Sequence, residues 1–214
     1  AMALRQSVPG MRVAVFGYYA TQFPLDIMED SEVDALFRGD AEASCVPYLI
    51  AAVQGNALKT IPGLVGRDKT GRFLNEPAYI RDYDTLPLPD YTMVNLRRYK
   101  EMLLGGPFAT VQTARGCPYA CTYCTSPQDS RYVTRSPKRI VEEIEGLARL
   151  NVKVFRFLDD TFTASKERVI TVCQEILRRK IVMKWSCLSR VDTLDAEMLS
   201  WMEEAGCVRA IVGV

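Results

Sequence analysis

Histidine is absent from all 214 residues. That single absence removes Ser-His-Asp and Cys-His catalysis, histidine-ligated zinc and an imidazole general base together. Any metal must therefore rest on thiolate, carboxylate or backbone ligands. Long apolar runs are missing too, since none approaches the roughly 18 residues of a membrane span. Ala1 to Gly10 holds Arg5, Gln6 and Pro9 and lacks the continuous apolar stretch of a secretory leader. Net charge is close to nil, with 27 basic residues against 26 acidic. That balance gives no electrostatic reason to expect a nucleic acid or an anionic membrane as partner. There is no internal repeat of fixed short period and no low-complexity tract.

What is present is enough apolar material, 48% of the chain, to bury one large core or one and a half ordinary ones. Seven cysteines in a chain without a visible leader fit a reducing, cytoplasmic setting, where clustered thiols bind metal more often than they pair. Three of them, Cys117, Cys121 and Cys124, stand in the run Arg115-Gly116-Cys117-Pro118-Tyr119-Ala120-Cys121-Thr122-Tyr123-Cys124. The spacing C-x3-C-x2-C is one thiolate short of a closed four-cysteine site. Thiolates are the usual ligands of iron–sulfur clusters, and a cubane has four irons to satisfy. Three protein ligands leave one iron open to a substrate or cofactor, which points to chemistry rather than simple electron carriage. The competing arrangement is a zinc site in which Cys187 or Cys207 supplies a fourth thiolate.

Around these cysteines the chain changes texture. Met11 to Phe16 reads as a buried strand, and Leu64 to Leu74, with Asp68-Lys69-Thr70-Gly71 at its centre, as a hairpin. Residues 61–106, rich in proline towards their end, read as a linker over a neighbouring domain. From about Phe108 strands and helices alternate. Thr110 to Ala114, Val152 to Leu158, Val182 to Leu188 and Val208 to Val214 are strands. Helices start at Ser136-Pro137, Ser165 and Asp195, each with a capping side chain, and Gly206 closes the last. Alternation of this kind predicts an α/β fold with a parallel sheet or barrel, its chemistry at the carboxyl ends of the strands. The cysteine loop, Asp159-Asp160 and Ser189-Arg190 all fall at such ends.

The cysteine run resembles the cluster motif of the radical S-adenosylmethionine (SAM) enzymes, CxxxCxxC on the loop after the first barrel strand. The likeness extends to Tyr123 before the third cysteine, to Phe157-Leu158-Asp159-Asp160-Thr161-Phe162, to Trp185-Ser186-Cys187 with Arg190-Val191-Asp192, and to Ala205-Gly206-Cys207 with Val212-Gly213-Val214. It implies a 4Fe-4S cluster on Cys117, Cys121 and Cys124, with S-adenosyl-L-methionine chelated at the open iron. Tyr123 would then lie beside the adenine. Asp159 or Asp160 would take the methionyl amino group, Asp159 being favoured if the face it shares with Phe155 and Phe157 lines the barrel. Ser189 and Arg190 complete the implied cofactor contacts, the guanidinium forking onto a carboxylate. The same resemblance implies a small-molecule substrate and a reductant such as flavodoxin or ferredoxin. The implied reaction is reductive cleavage of S-adenosylmethionine for radical modification of an unactivated carbon (methylation, cyclisation or rearrangement) in a biosynthetic pathway, with methylthiotransfer as the alternative within the family.

The amino-terminal third is similar to the end of a Rossmann-like cobalamin-binding domain, on Val13 to Thr21, Pro24 and Asp34 to Glu42. Ile61-Pro62-Gly63-Leu64 and Leu86-Pro87-Leu88-Pro89-Asp90-Tyr91 match the linker of that subgroup. Phe16-Gly17 stands where the family commonly has Gly-Gly, and the Asp-x-His-x-x-Gly signature is absent, so cobalamin is implied for a full-length parent rather than for this chain. The expected organisation is thus 1–60, the carboxyl-terminal part of a cobalamin-binding-like domain; 61–106, a linker; and 107–214, about four of the six strands of a TIM-like radical SAM barrel. The chain reads as an internal fragment of a longer enzyme.

Overall fold

In the computed structural model, which describes residues 2–8, 10–29, 32–101, 105–124 and 131–213, the chain divides after Arg81. The first unit runs through α1 (Met2–Ser7), β1 (Ala14–Phe16), α2 (Tyr18–Gln22), α3 (Pro24–Glu29), β2 (Ala35–Phe37), α4 (Ala41–Gln54), β3 (Leu64–Asp68) and β4 (Gly71–Leu74). β1 pairs parallel with β2, and the β3–β4 hairpin continues that sheet antiparallel. The hairpin turn forms as its composition predicts: the Asp68 carboxylate accepts from the amide and hydroxyl of Thr70, both at 2.7 Å, and Gly71 takes φ +119°. Phe37, Tyr48, Ile61, Leu64 and Phe73 bury one face of the sheet, and Met28, Leu36 and Val65 the other.

The stretch 61–106, expected as one linker, is therefore shared between the units. Its first part is sheet, because Val65 and Phe73 bury side chains a tether would leave in water. Beyond Arg81 it runs in short 3-10 turns at Tyr83–Thr85, Tyr91–Met93 and Leu96–Arg98, each opened by an Asp or Asn side chain that accepts a backbone N–H.

The second unit holds β5 (Phe108–Val111), β6 (Ala114–Arg115), β7 (Val133–Thr134), α5 (Pro137–Arg149), β8 (Val154–Phe157), α6 (Lys166–Arg178), β9 (Lys184–Arg190), α7 (Ala196–Glu204) and β10 (Cys207–Gly213). β5, β8, β9 and β10 lie side by side in chain order, every pair parallel. This is the α/β layout expected of the first four strands of a β/α barrel. Val214, the last residue of the expected fourth strand, lies outside the described residues. All three expected helix caps are in place: Ser136 Oγ accepts from Arg139 N at 3.4 Å, Ser165 Oγ from Arg168 N at 3.4 Å, and Asp195 Oδ1 from Met198 N at 2.9 Å. The Ser136 bond is long, so Ser136→Ala is expected to cost only about 0.5–1 kcal/mol, the low end for a lost cap. Urea unfolding followed by tryptophan fluorescence checks it, because both tryptophans, Trp185 and Trp201, belong to this unit.

One face of the strands packs on the helices. Phe155, Phe157, Trp185 and Cys187 meet Ile140, Ile144, Val169, Val172, Met198 and Met202 in one buried cluster, with Phe157 stacked on Phe162 at 4.0 Å between ring centroids. Alternation puts Arg156 and Leu158, with Ser186, Leu188 and Arg190, on the other face. The Arg156 Nε donating to Ser186 Oγ at 3.3 Å marks that face as polar.

The expected single strand Thr110–Ala114 is broken. β5 stops at Val111, and Ala114–Arg115 leaves to pair antiparallel with Val133–Thr134. The reason is that the Thr113 and Ala114 amides donate to the Asp159 carboxylate instead of to a neighbouring strand. No helix among the described residues is long and apolar enough to cross a membrane.

Candidate metal centre

The cysteine loop hangs from the β6–β7 pair. Gly116, the first residue beyond it, has φ +76°, and a Cβ there would overlap the carbonyl oxygen of Arg131, just before β7. Two buried polar groups hold this base. On one side Asp159, 1% exposed, accepts from Thr113 N at 2.6 Å and Ala114 N at 2.9 Å with one oxygen. With the other it accepts from the Thr113 hydroxyl and from Arg168 at 3.4 Å. Arg168 also donates to Thr113 Oγ1, Tyr132 Oη and the Phe162 carbonyl, so one guanidinium ties the loop's entry to its exit. Burial pushes the Asp159 carboxyl above its ordinary range, and these donors pull against it.

On the other side the Tyr83 ring lies between two guanidinium groups, Arg115 at 4.9 Å and Arg135 at 4.6 Å from its centroid. Arg135 is buried against Glu143 at 2.6 Å, and Tyr91 Oη donates to the other Glu143 oxygen at 2.6 Å. The segment after Arg81 therefore helps to form the floor of the cysteine loop.

The three thiols share this loop in different surroundings. Cys117 Sγ lies 3.4 Å from Thr161 Oγ1. Cys121 Sγ accepts from Arg190 Nη1 at 2.8 Å. Cys124 is exposed, its amide donating to the Cys121 carbonyl at 3.0 Å. None of the seven cysteines is in a disulfide. Among the described residues no three Cys, Asp or Glu side chains are gathered into a ready ion-binding group. The loop presents soft donors, of which Cys117 and Cys121 each have a polar neighbour of their own, Thr161 and Arg190. The donor chemistry suits an iron–sulfur cluster, whose ligands are thiolates. The four-thiolate zinc alternative fits poorly. Cys187 is buried in the helix-facing core and Cys207 packs against it, on the face away from Arg190.

The expected cofactor contacts separate along the same division. The condition that favoured Asp159 fails, because the face it shares with Phe155 and Phe157 packs on helices, and its oxygens are engaged at the base of the loop. Asp160, its neighbour, is exposed in the turn beyond β8. Ser189 is buried on the helix side, where its hydroxyl shares a 2.6 Å hydrogen bond with Thr163. Arg190 already forks onto Asp192, Nε to Oδ1 at 2.9 Å and Nη2 to Oδ2 at 2.6 Å, and its plane lies over Tyr119 at 4.2 Å. Tyr123 is 74% exposed, and a Cβ added at Gly213, at the end of β10, would lie 3.7 Å from its hydroxyl. Sequence reading missed Thr161, Tyr119, Arg168 and Tyr83. Thr161 follows the acidic pair directly and Tyr119 lies inside the cysteine run, so both had a local signal. Arg168 and Tyr83 had none.

Residues 111–214, from the end of β5 to the end of the chain, match the Radical SAM superfamily. That stretch thus carries the radical SAM match. Members use a 4Fe-4S cluster and S-adenosylmethionine. An uncharacterized methyltransferase of Pyrococcus horikoshii is 33% identical over 208 residues, covering 94% of this chain and 45% of the relative. An anaerobic magnesium-protoporphyrin IX monomethyl ester cyclase of Cereibacter sphaeroides is 30% identical over 217 residues, covering 96% and 35%. The fold is shared with the radical SAM methyltransferase TsrM of Kitasatospora setae, solved with cobalamin and a [4Fe-4S] cluster bound, at a TM-score of 0.75 and 20% identity over 97% of this chain and 42% of that one. The chain thus spans less than half the length of these relatives.

Proposed function

We propose that Cys117, Cys121 and Cys124 hold a 4Fe-4S cluster with one open iron for S-adenosylmethionine. The parent enzyme would then modify an unactivated carbon of a small molecule, by methylation or cyclisation. The observation that carries this reading is the placement of three thiols on one clamped loop at the carboxyl ends of parallel strands. A cluster held by Cys117, Cys121 and Cys124 would supply one electron for the reductive cleavage of S-adenosylmethionine. The chain's own share is to bind, orient and exclude water.

On this reading Asp160 replaces Asp159 as the acceptor for the methionyl amino group, because Asp159 is committed to the loop base. Tyr123 remains the flank of the adenine, at the strand end where Gly213 leaves room. The methyltransferase and cyclase relatives support carbon modification as the reaction class. Cobalamin enters only for a longer parent, of which residues 1–60 would supply part of the binding domain. A reductant such as flavodoxin or ferredoxin and a cytoplasmic setting complete the proposal.

The test is anaerobic reconstitution with iron and sulfide, followed by electron paramagnetic resonance (EPR) of the reduced protein with and without S-adenosylmethionine. A cubane signal that changes on adding the cofactor is expected. Cys121→Ala is expected to lose the cluster, and full iron and sulfide in that variant would refute the ligand assignment. A colourless protein with stoichiometric zinc would overturn the whole reading.

A further inference from the structure

Arg190, at the end of β9, is a charged side chain that touches a cysteine of the triad. Three of its nitrogens are committed: Nε and Nη2 to the two Asp192 oxygens, and Nη1 to Cys121 Sγ at 2.8 Å. The Tyr119 ring, two residues before Cys121, lies under the guanidinium plane at 4.2 Å. The group is therefore fixed from three directions, by a fork, a ring and a sulfur, and Asp192 and Tyr119 leave it little freedom to swing towards a ligand.

A guanidinium is donor-only and permanently charged, so the direction of this bond is unambiguous. Thr161 beside Cys117 differs. It has one proton, and the Asp160 carbonyl at 2.9 Å competes for it. Hydrogen bonds and charge next to ligand sulfurs are among the levers that set the potential of an iron–sulfur cluster. Reduction adds one negative charge to the cluster, so a fixed cation on a ligand sulfur favours the reduced form.

We propose that Arg190 is a positioning residue that holds the Cys121 thiolate and raises the reduction potential of the cluster, rather than a fork for the cofactor carboxylate. Asp192 orients the guanidinium and offsets part of its charge. This inference rests on the cluster assignment above.

The experiment is an EPR-monitored redox titration of the reconstituted chain, with iron and sulfide counted in every sample. Arg190→Gln is expected to keep the cluster and lower its midpoint. At the wild-type midpoint the ratio of reduced to oxidised cluster should fall about tenfold, equivalent to 59 mV for one electron. Arg190→Lys, which keeps the charge but not the fork, should fall less. Asp192→Asn removes a negative charge and should move the midpoint upwards. That opposite sign separates tuning from a merely structural role, and it holds as a test if the Arg190→Gln protein assembles poorly. An unchanged midpoint in Arg190→Gln together with weakened S-adenosylmethionine binding would overturn the proposal in favour of the carboxylate fork. Equal downward shifts in the Gln and Asn variants would overturn it too. Absence of a cluster in the unmodified chain would instead sink the ligand assignment on which it rests.

Discussion

Asp159→Ala is expected to lower the stability of the second unit by about 3–5 kcal/mol, the cost of removing one partner from a buried ion pair. The carboxylate is 1% exposed, and the Arg168 side chain facing it is 8% exposed, so solvent screens neither. Alanine would leave a buried guanidinium without its counter-charge and the Thr113 and Ala114 amides without their acceptor. Each such orphaned group carries a desolvation penalty of its own. Asp159→Asn should lose less, because its carbonyl oxygen can still accept from one of these donors. Urea unfolding followed by the fluorescence of Trp185 and Trp201 reads this unit alone. A loss below about 1 kcal/mol would mean that the Asp159 hub is not what fixes the loop, since that is no more than an exposed ion pair is worth. The same variant should hold iron poorly after reconstitution, because Thr113 and Ala114 lead directly into Gly116 and Cys117. Loss of iron with full stability would point to a direct role in the site, contrary to the geometry.

That Asp159 belongs to the scaffold was not legible in the chain. Period-2 alternation groups Asp159 with Phe155 and Phe157 correctly, but it does not say which face meets the helices. The answer lies in partners distant in sequence, Ile140 and Ile144 on α5 and Val169 and Val172 on α6, which pack on the face carrying Phe155, Phe157 and Trp185. The features written locally came through. Ser136, Ser165 and Asp195 cap their helices, Asp68 with Thr70 closes its hairpin, and the cysteine run falls on a strand-end loop, because each depends on residues within a few positions. The broken strand at Thr113 and the Tyr83 clamp were hidden for the opposite reason. One depends on an acceptor 46 residues away, the other on two arginines brought together by the β6–β7 pair. The pairing of the Leu64–Leu74 hairpin was hidden likewise, because β3 joins β2, a strand much earlier in the chain.

The second large effect is expected at Gly116. Its φ of +76° is one that an L side chain adopts at a cost of roughly 1–2 kcal/mol. That cost is the smaller part, because the added methyl group would overlap the backbone carbonyl of Arg131. No rotamer change relieves a clash with a main-chain atom, so the loop's two ends must part. They part where β6 and β7 are only two residues each, and where Cys117 is the next residue. Gly116→Ala should therefore retain less than about a tenth of the wild-type cluster, the loss a shift of roughly 1.4 kcal/mol in binding already produces. Gly146→Ala is the matched control. It lies in α5 with nothing within 4 Å of the added methyl group, and should stabilise the unit by about 0.5–1 kcal/mol while leaving iron content unchanged. Equal iron in the two proteins would show that the loop tolerates its ends being moved, and that the thiols reach a cluster without the β6–β7 base. Full iron in Gly146→Ala and little in Gly116→Ala would locate the requirement in the backbone entering the triad, where there is no room for a Cβ.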